Sequence, residues 1–211
     1  MSDIAALLLA AGQGTRFGLS PGETKLAMAL NGRPLIRYVA EAALASRAHP
    51  VGVVTGHAAE TVSALLEGLG FQLIYNGAYA DGLASSLRAG VAALPGHIDG
   101  VVILLADMPF VTKDVIDTLI SRFEAAVPKP DAVVPVRNGR HGNPVLLGKR
   151  LFEAIAKLEG DRGAWQLLQR PGVQIVECVI LDEAIAIDID TREKLEQFEG
   201  RPVAGLPSRQ A

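Results

Sequence analysis

The strongest constraint on the fold lies near the amino end, where the apolar run Ile4 to Leu9 breaks into Ala10-Ala11-Gly12-Gln13-Gly14-Thr15-Arg16-Phe17-Gly18. A short run with no polar alternation reads as a strand buried on both faces, the pattern of a parallel sheet. The three glycines that follow open backbone conformations closed to other residues and let a ligand approach the main chain. Backbone N–H groups exposed in such a turn bind phosphate oxygens, and Arg16 adds a planar cationic donor. Strand, glycine loop and arginine together form a candidate nucleotide site.

Spacing excludes two common loops. A dinucleotide fingerprint requires G-x-G-x-x-G and a later acidic residue. Here the third glycine, Gly18, arrives one residue late, and the strand expected from Val51 ends in Thr55-Gly56-His57 without a carboxylate. A Walker A loop requires lysine and Ser/Thr after its last glycine, whereas Leu19-Ser20 follow Gly18.

The rest of the chain alternates strand and helix patterns. Strands are expected at 26–30 (brief), 51–55, 71–75, 101–106, 131–136, 144–147 and 173–180, with 101–106 the most apolar and hence central. Helices are expected at 34–46, 58–69, 83–94, 113–126, 150–158, 163–169 and from Thr191 to Phe198. Asn31-Gly32 makes a turn, and Thr112 and Thr191 are N-caps. This order specifies an α/β fold with a mostly parallel, doubly wound sheet. One domain over 1–200 is expected, with a frayed tail over 201–211. Ligands of such sheets lie beyond the carboxyl ends of the strands.

Composition narrows the class. The formal charge of −3 leaves no basic footprint for nucleic acid. No apolar stretch reaches the ~18 residues of a membrane span, and the amino end lacks the basic region of a signal peptide. The single cysteine, Cys178, sits in VQIVECVIL and reads as a buried, inert thiol. A cytoplasmic protein without nucleic-acid or membrane partners is expected.

Asp107-Met108-Pro109 follows the most apolar strand directly, which puts a carboxylate at the functional edge of the sheet. Asp107 can anchor Mg²⁺, which takes one or two carboxylates plus substrate phosphates, or it can cap the turn. Asp188 and Asp190 alternate in AIDID and share one side if that segment is a strand. Asp190 can cap the last helix or, if Thr191 does so, bind metal. Without metal, two neighbouring carboxylates repel and one pKa rises. Arg16 and Lys25 would hold a triphosphate. Gly82 opens a helix whose first turn offers Ser85, Ser86 and free N–H donors to an anion or a base edge. Arg140-His141-Gly142-Asn143-Pro144 and Gly160-Asp161-Arg162-Gly163 are further polar loops, and the four histidines show no metal-ligand spacing.

LAAGQGTRFG with Lys25, ADGLASSLRAG, LLADMPFV, GRHGNPVLL, GDRGAWQLL and DIDTREKLEQF occur in the order found in molybdenum cofactor cytidylyltransferases. The chain resembles that family, a branch of the molybdopterin nucleotidyltransferases, up to about Phe198. The resemblance implies a single-domain, modified Rossmann fold. It also implies Mg²⁺-dependent transfer of CMP from CTP to the terminal phosphate of molybdopterin, with release of pyrophosphate. On this basis Leu9, Ala10, Ala11, Gly12, Gly14, Arg16, Lys25, Gly82 and Ser86 bind nucleotide. Arg16, Lys25 and Asp107 are catalytic, Asp107 and Asp190 hold the metal, and Asn143, Asp161 and Arg162 face the acceptor. A molybdoenzyme or its maturation chaperone is the implied protein partner. Asn143 stands where many relatives carry histidine and Trp165 where many carry a basic residue. The alternatives are a guanylyltransferase of the same cofactor, a sugar-phosphate nucleotidyltransferase, and a non-catalytic nucleotide-binding maturation factor.

Overall fold

The opening apolar run forms β1 (Ile4–Ala10), buried at every position because it is paired on both edges and covered on both faces. The computed structural model describes residues 1–20, 22–161 and 163–203. After the glycine loop, Lys25–Ala27 makes one 3-10 turn, and β2 (Ala29–Leu30) and β3 (Arg33–Pro34) form a small hairpin. The expected 26–30 strand is therefore shorter. Asn31 (φ 50°) and Gly32 (φ 73°) turn the hairpin in the left-handed region that this residue pair tolerates. The chain continues through α1 (Leu35–Ala45), β4 (Val51–Thr55), α2 (Ala59–Leu65), β5 (Gln72–Tyr75), α3 (Leu83–Ala92), β6 (Gly100–Leu105) and α4 (Lys113–Ala125). It ends with β7 (Ala132–Arg137), β8 (Arg140–His141), β9 (Val145–Gly148), α5 (Phe152–Ile155), α6 (Trp165–Leu168), β10 (Ile175–Val179) and α7 (Arg192–Phe198).

The sheet order is β10-β7-β9-β6-β1-β4-β5, with β8 paired to β7. β1, β4, β5 and β6 run parallel, as do β7 and β10, while β9 is antiparallel to both β6 and β7. The single-domain, mostly parallel α/β expectation holds, and β6 is central. Alternation along β1 splits the core in two. Ala6, Leu8 and Ala10 pack with Ile36, Val39, Ile116 and Ile120 of α1 and α4. Ala5, Leu7 and Leu9 pack with Leu87, Ile155 and Leu167 of α3, α5 and α6. A third cluster, which includes Phe17, Leu30, Leu35, Phe110 and Ile189, lies under the loop side of the sheet.

Several boundaries differ. α2 ends four residues early, and the expected helices at 150–158 and 163–169 each shrink to little more than one turn. The main correction concerns Asp188 and Asp190, which do not lie on a strand. Glu183–Ala186 is a 3-10 turn, and the following residues are irregular. Their backbone is spent elsewhere, with Asn143 N donating to Ile185 O (2.9 Å) and Ile189 N to Asp107 O (2.8 Å). The apolar alternation arises because Ile189 is fully buried under the loop, and not from sheet pairing. In the expected tail, Arg201 is packed over the Phe110 ring (4.8 Å) and ion-paired to Glu183 (2.5 Å). Residues 204–211 lie outside the described residues.

Candidate active site

The loops after β1 and β6 open on one cavity of about 490 Å³ at the carboxyl edge of the sheet. Leu9, Ala10, Ala11, Gly12, Gly14, Arg16, Lys25, Gly82, Ser86, Asp107 and Asp190 all line it, as do Asp161 and Asp188. Gly14 (φ 61°) and Gly18 (φ 64°) bracket a 3-10 turn, Thr15–Phe17, and buried Phe17 ties that turn to the cluster below. The Lys25 side chain runs along Gly14, where an added Cβ would meet Lys25 Cγ at 3.3 Å.

Two ion pairs cross the cavity. Lys25 Nζ donates to Asp107 Oδ2 at 2.6 Å, both side chains being largely buried, and the Arg16 guanidinium donates to Asp190 Oδ2. Arg16 is otherwise exposed, so its pairing is the looser one. Lys194, on the first turn of α7, donates to Asp188 Oδ1 (2.9 Å) and Asp190 Oδ1 (3.1 Å). Lys194 escaped the sequence reading. Its signal is a lysine four residues after an aspartate at a helix start, on the same helical face.

Thr191 takes the N-cap of α7, its Oγ1 accepting from Lys194 N at 3.2 Å, so Asp190 is free of that duty. Burial pushes the Asp190 carboxyl up. The hydrogen bond from Lys194 and the charges of Lys194, Arg16 and Lys25 outweigh it and hold the pKa below the ordinary value. The expected rise from carboxylate repulsion therefore fails at Asp190, because three cations stand beside it. Lys194 is in turn raised, first by its hydrogen bond to Asp188 and then by that to Asp190.

The helix after Gly82 departs from expectation. Leu83 N donates to Asp161 Oδ1 (3.3 Å), Ala84 N to Gly160 O (3.0 Å) and Ser85 N to Gly82 O (3.1 Å). The donors expected to be free for an anion are already held, one of them by a carboxylate of the chain itself. Asp161, expected at the acceptor, thus caps α3 inside the first cavity. Ser85 and Ser86 are buried and receive hydrogen bonds from Asn76 Nδ2 at 2.8 and 3.1 Å. Asn76 was also missed. An asparagine directly after β5, at the same sheet edge, was its only signal. Arg162 lies outside the described residues. Asn143 lines a second cavity of about 360 Å³, next to the first.

Among the described residues, no group of three or more His, Cys, Asp or Glu side chains is placed to hold a metal by itself. Asp107 and Asp190 both line the cavity, where Ile189, the neighbour of Asp190, donates its N–H to Asp107 O, and both carboxylates offer hard oxygen donors. That donor set fits a divalent cation that completes its shell with phosphate and water. Cys178 is buried, and burial raises its thiol pKa, which fits an inert role. Among the described residues no helix is long and apolar enough to cross a membrane.

Comparison with known proteins gives a consistent picture. The model of the MobA-like NTP transferase domain matches residues 6–175. Nicotine blue oxidoreductase of Paenarthrobacter nicotinovorans is 30% identical over 201 residues, 91% of this chain and 94% of that protein. The bifunctional protein GlmU of Pelobacter propionicus is 32% identical over 158 residues, 75% of this chain but 33% of its own length. A nucleotidyl transferase from Methanothermobacter superposes with a TM-score of 0.78 at 25% identity, covering 93% of this chain and 95% of that one. A Mycobacterium tuberculosis protein solved in complex with manganese superposes at 0.79, with 20% identity over 95% of this chain and all of that one, and shares the fold.

Proposed function

Because the chain belongs to the MobA-like NTP transferase family, we propose that it transfers CMP from CTP to the terminal phosphate of a molybdopterin-type acceptor, releasing pyrophosphate. One observation carries this reading. Two cations, Arg16 and Lys25, meet two carboxylates, Asp190 and Asp107, across a cleft floored by the glycine loop. Arg16 and Lys25 would exchange carboxylate oxygens for phosphate oxygens when the triphosphate enters, and the loop backbone would lie along it. Asp107 and Asp190 would hold a divalent cation, Mg²⁺ in this reading, which supplies charge neutralisation on the phosphates.

The acceptor phosphate oxygen attacks the α-phosphorus in line. A new P–O bond forms there, the bond to the bridging oxygen of the β-phosphate breaks, and its electron pair leaves with pyrophosphate. Arg16 and Lys25 stabilise the charge that builds on that leaving group, which is electrostatic catalysis by groups already in place. The cytidylyl-type AAG of the loop and the Ser86 helix support CTP as donor. A pocket shaped for cytosine denies the extra room a purine needs.

The test is pyrophosphate release from each nucleoside triphosphate with purified cofactor and Mg²⁺. Preference for CTP in kcat/KM is expected. Preference for GTP moves the protein to the guanylyl reading, and turnover only with a sugar phosphate changes the acceptor. Nucleotide binding without turnover supports a maturation factor that delivers cofactor to a molybdoenzyme.

A second reading has its own support, since the relative matched over most of both chains is named an oxidoreductase. The same two cavities would then hold a redox carrier and a reducible substrate. The missing dinucleotide spacing in the loop sets this reading second. Consumption of a reduced nicotinamide dinucleotide with no pyrophosphate from any triphosphate would bring it first.

A further inference from the structure

His57 bonds to both loops that carry the cations of the cleft. Its backbone N–H donates to Ala11 O in the glycine loop at 3.2 Å. Its ring Nε2 lies 3.0 Å from Glu23 O, two residues before Lys25. A carbonyl oxygen only accepts, so Nε2 carries the proton of that bond. The imidazole also packs on the Tyr79 ring, with centroids 6.1 Å apart and a tilt of 58°. Tyr79 lines the cleft; His57 is not among the described residues that do.

The turn that presents His57 is built for close approach. Gly56 is buried, and an added Cβ there would lie 2.6 Å from Tyr79 Cβ and 2.9 Å from Ala11 Cβ. Ala58 follows in the left-handed region, at φ 52° and ψ 37°. A residue with a Cβ is held there only where its surroundings fix it. The Glu23 side of the bond is a turn of its own. Glu23 N donates to Ser20 O (3.0 Å) and Ser20 N to Glu23 Oε2 (2.9 Å). Ser20, Gly22 and Glu23 are exposed, so packing does little to fix that turn. Thr24, next in sequence, is buried and caps the 3-10 turn that begins at Lys25. The Lys25 side chain then runs along Gly14 and reaches Asp107. Its course depends on the glycine loop and the Glu23 turn being held together, and His57 holds both.

We propose that His57 is a positioning residue: it clasps the Glu23 turn to the glycine loop, with Tyr79 steadying the ring, and so sets Lys25 for the phosphates of a nucleoside triphosphate. The identity of that ligand rests on the transferase reading, whereas the clasp does not. Because His57 acts through Lys25 in ground state and transition state alike, its loss raises KM and leaves kcat unchanged.

Two replacements isolate the bond to Glu23. His57→Phe keeps a ring against Tyr79 and removes the donor, while His57→Gln keeps an N–H donor and removes the ring. Amide hydrogen exchange is measured on the whole protein without nucleotide or metal. In His57→Phe, exchange over 22–28 should rise about two- to tenfold, the scale of one lost hydrogen bond, with β4 and α2 as protected as in the wild type. In the pyrophosphate-release assay, KM for CTP should rise by a similar factor, with kcat within about twofold of wild type. His57→Gln should bring both exchange and KM back towards the wild type.

Unchanged exchange over 22–28 in His57→Phe overturns the clasp, and so does a His57→Gln protein that behaves like His57→Phe. Raised exchange throughout β4 and α2 overturns it too, because His57 would then serve only the stability of its own turn. Normal pyrophosphate release alongside any of these results leaves the transferase reading standing. Exchange over 22–28 that rises in His57→Phe and is reversed in His57→Gln, with no pyrophosphate from any triphosphate, keeps the clasp and removes the transferase reading.

Discussion

Replacing Gly82 with alanine tests the architecture of the cleft at its most constrained backbone position. Gly82 has φ 93° and ψ −177°, a region that is essentially glycine-only and costs other residues about 1–3 kcal/mol. A Cβ there would lie 2.2 Å from Asp161 Oδ1 and 2.9 Å from the Gly160 carbonyl carbon and oxygen. Asp161 must therefore move, and its hydrogen bond to Leu83 N at the start of α3 is lost. A lost cap of this kind costs ~1 kcal/mol. The two together come to about 3 kcal/mol. For a domain of this size that lowers Tm by roughly 6–12 °C. Calorimetry should be run without nucleotide, because a bound ligand would add stability by mass action. The partner variant Asp161→Ala should cost ~1 kcal/mol alone. In the Gly82→Ala background it should cost almost nothing, since the same cap is lost only once and the nearest clash is removed. Coupling of ~1 kcal/mol is expected from such a contacting pair. A Gly82→Ala protein that melts with the wild type, or full additivity of the two changes, would refute this account of the 82/161 contact.

The remaining expectations concern charge. Lys25→Ala and Arg16→Ala should each slow transfer by about 10²–10³; activity within twofold of wild type in both would return them to a surface role. Asp107→Asn and Asp190→Asn should each abolish transfer with melting curves retained, and the double variant should be no worse than either single, as for residues acting as one unit. Asp190→Asn that changes only stability would remove Asp190 from the metal. Thr191→Ala should cost ~1 kcal/mol of stability, the usual value of an N-cap, with transfer kept. Glu124, far from the cleft, is held below its ordinary value, first by its hydrogen bond from Arg47. Its contribution to stability is therefore full above the ordinary pKa of 4.5 and vanishes as pH falls through the lower folded value. Urea titrations should show Glu124→Gln ~0.2–1 kcal/mol less stable at neutral pH, with the gap closing in acid; a gap that persists or widens in acid contradicts the sign.

The core strands were legible because their signal is local. Ile4–Ala10 and Gly100–Leu105 are runs without polar interruption, and burial on both faces writes itself directly into such segments. Thr112 and Thr191 were legible as caps for the same reason, their partners lying three residues away. The segment Ile187-Asp188-Ile189-Asp190 was misread because alternation records only which side chains are buried. An irregular chain pinned at Asp107 buries alternate residues as well as a strand does. The α3 N-terminus was misread because its cap comes from Asp161, 78 positions away from Leu83, and no local pattern encodes that partner.

The same distance argument explains the electrostatics of the cleft. Asp107, Asp188 and Asp190 face Arg16, Lys25 and Lys194, three charges of each sign in pairs separated by up to 174 positions. The sequence suggested two carboxylates left to repel each other, whereas the fold gives each a cation. Burial works against the Asp190 carboxylate, but Lys194, Arg16 and Lys25 hold its pKa below the ordinary value. A triphosphate entering with its cation brings both signs of charge at once. Under the proposed transfer, Arg16 and Lys25 would turn to phosphate while Asp107 and Asp190 turn to the cation, so that no charge is stranded in the partly buried site, where stranding is costly. Lys194, on the first turn of α7, is the third cation of the cleft and pairs with both Asp188 and Asp190.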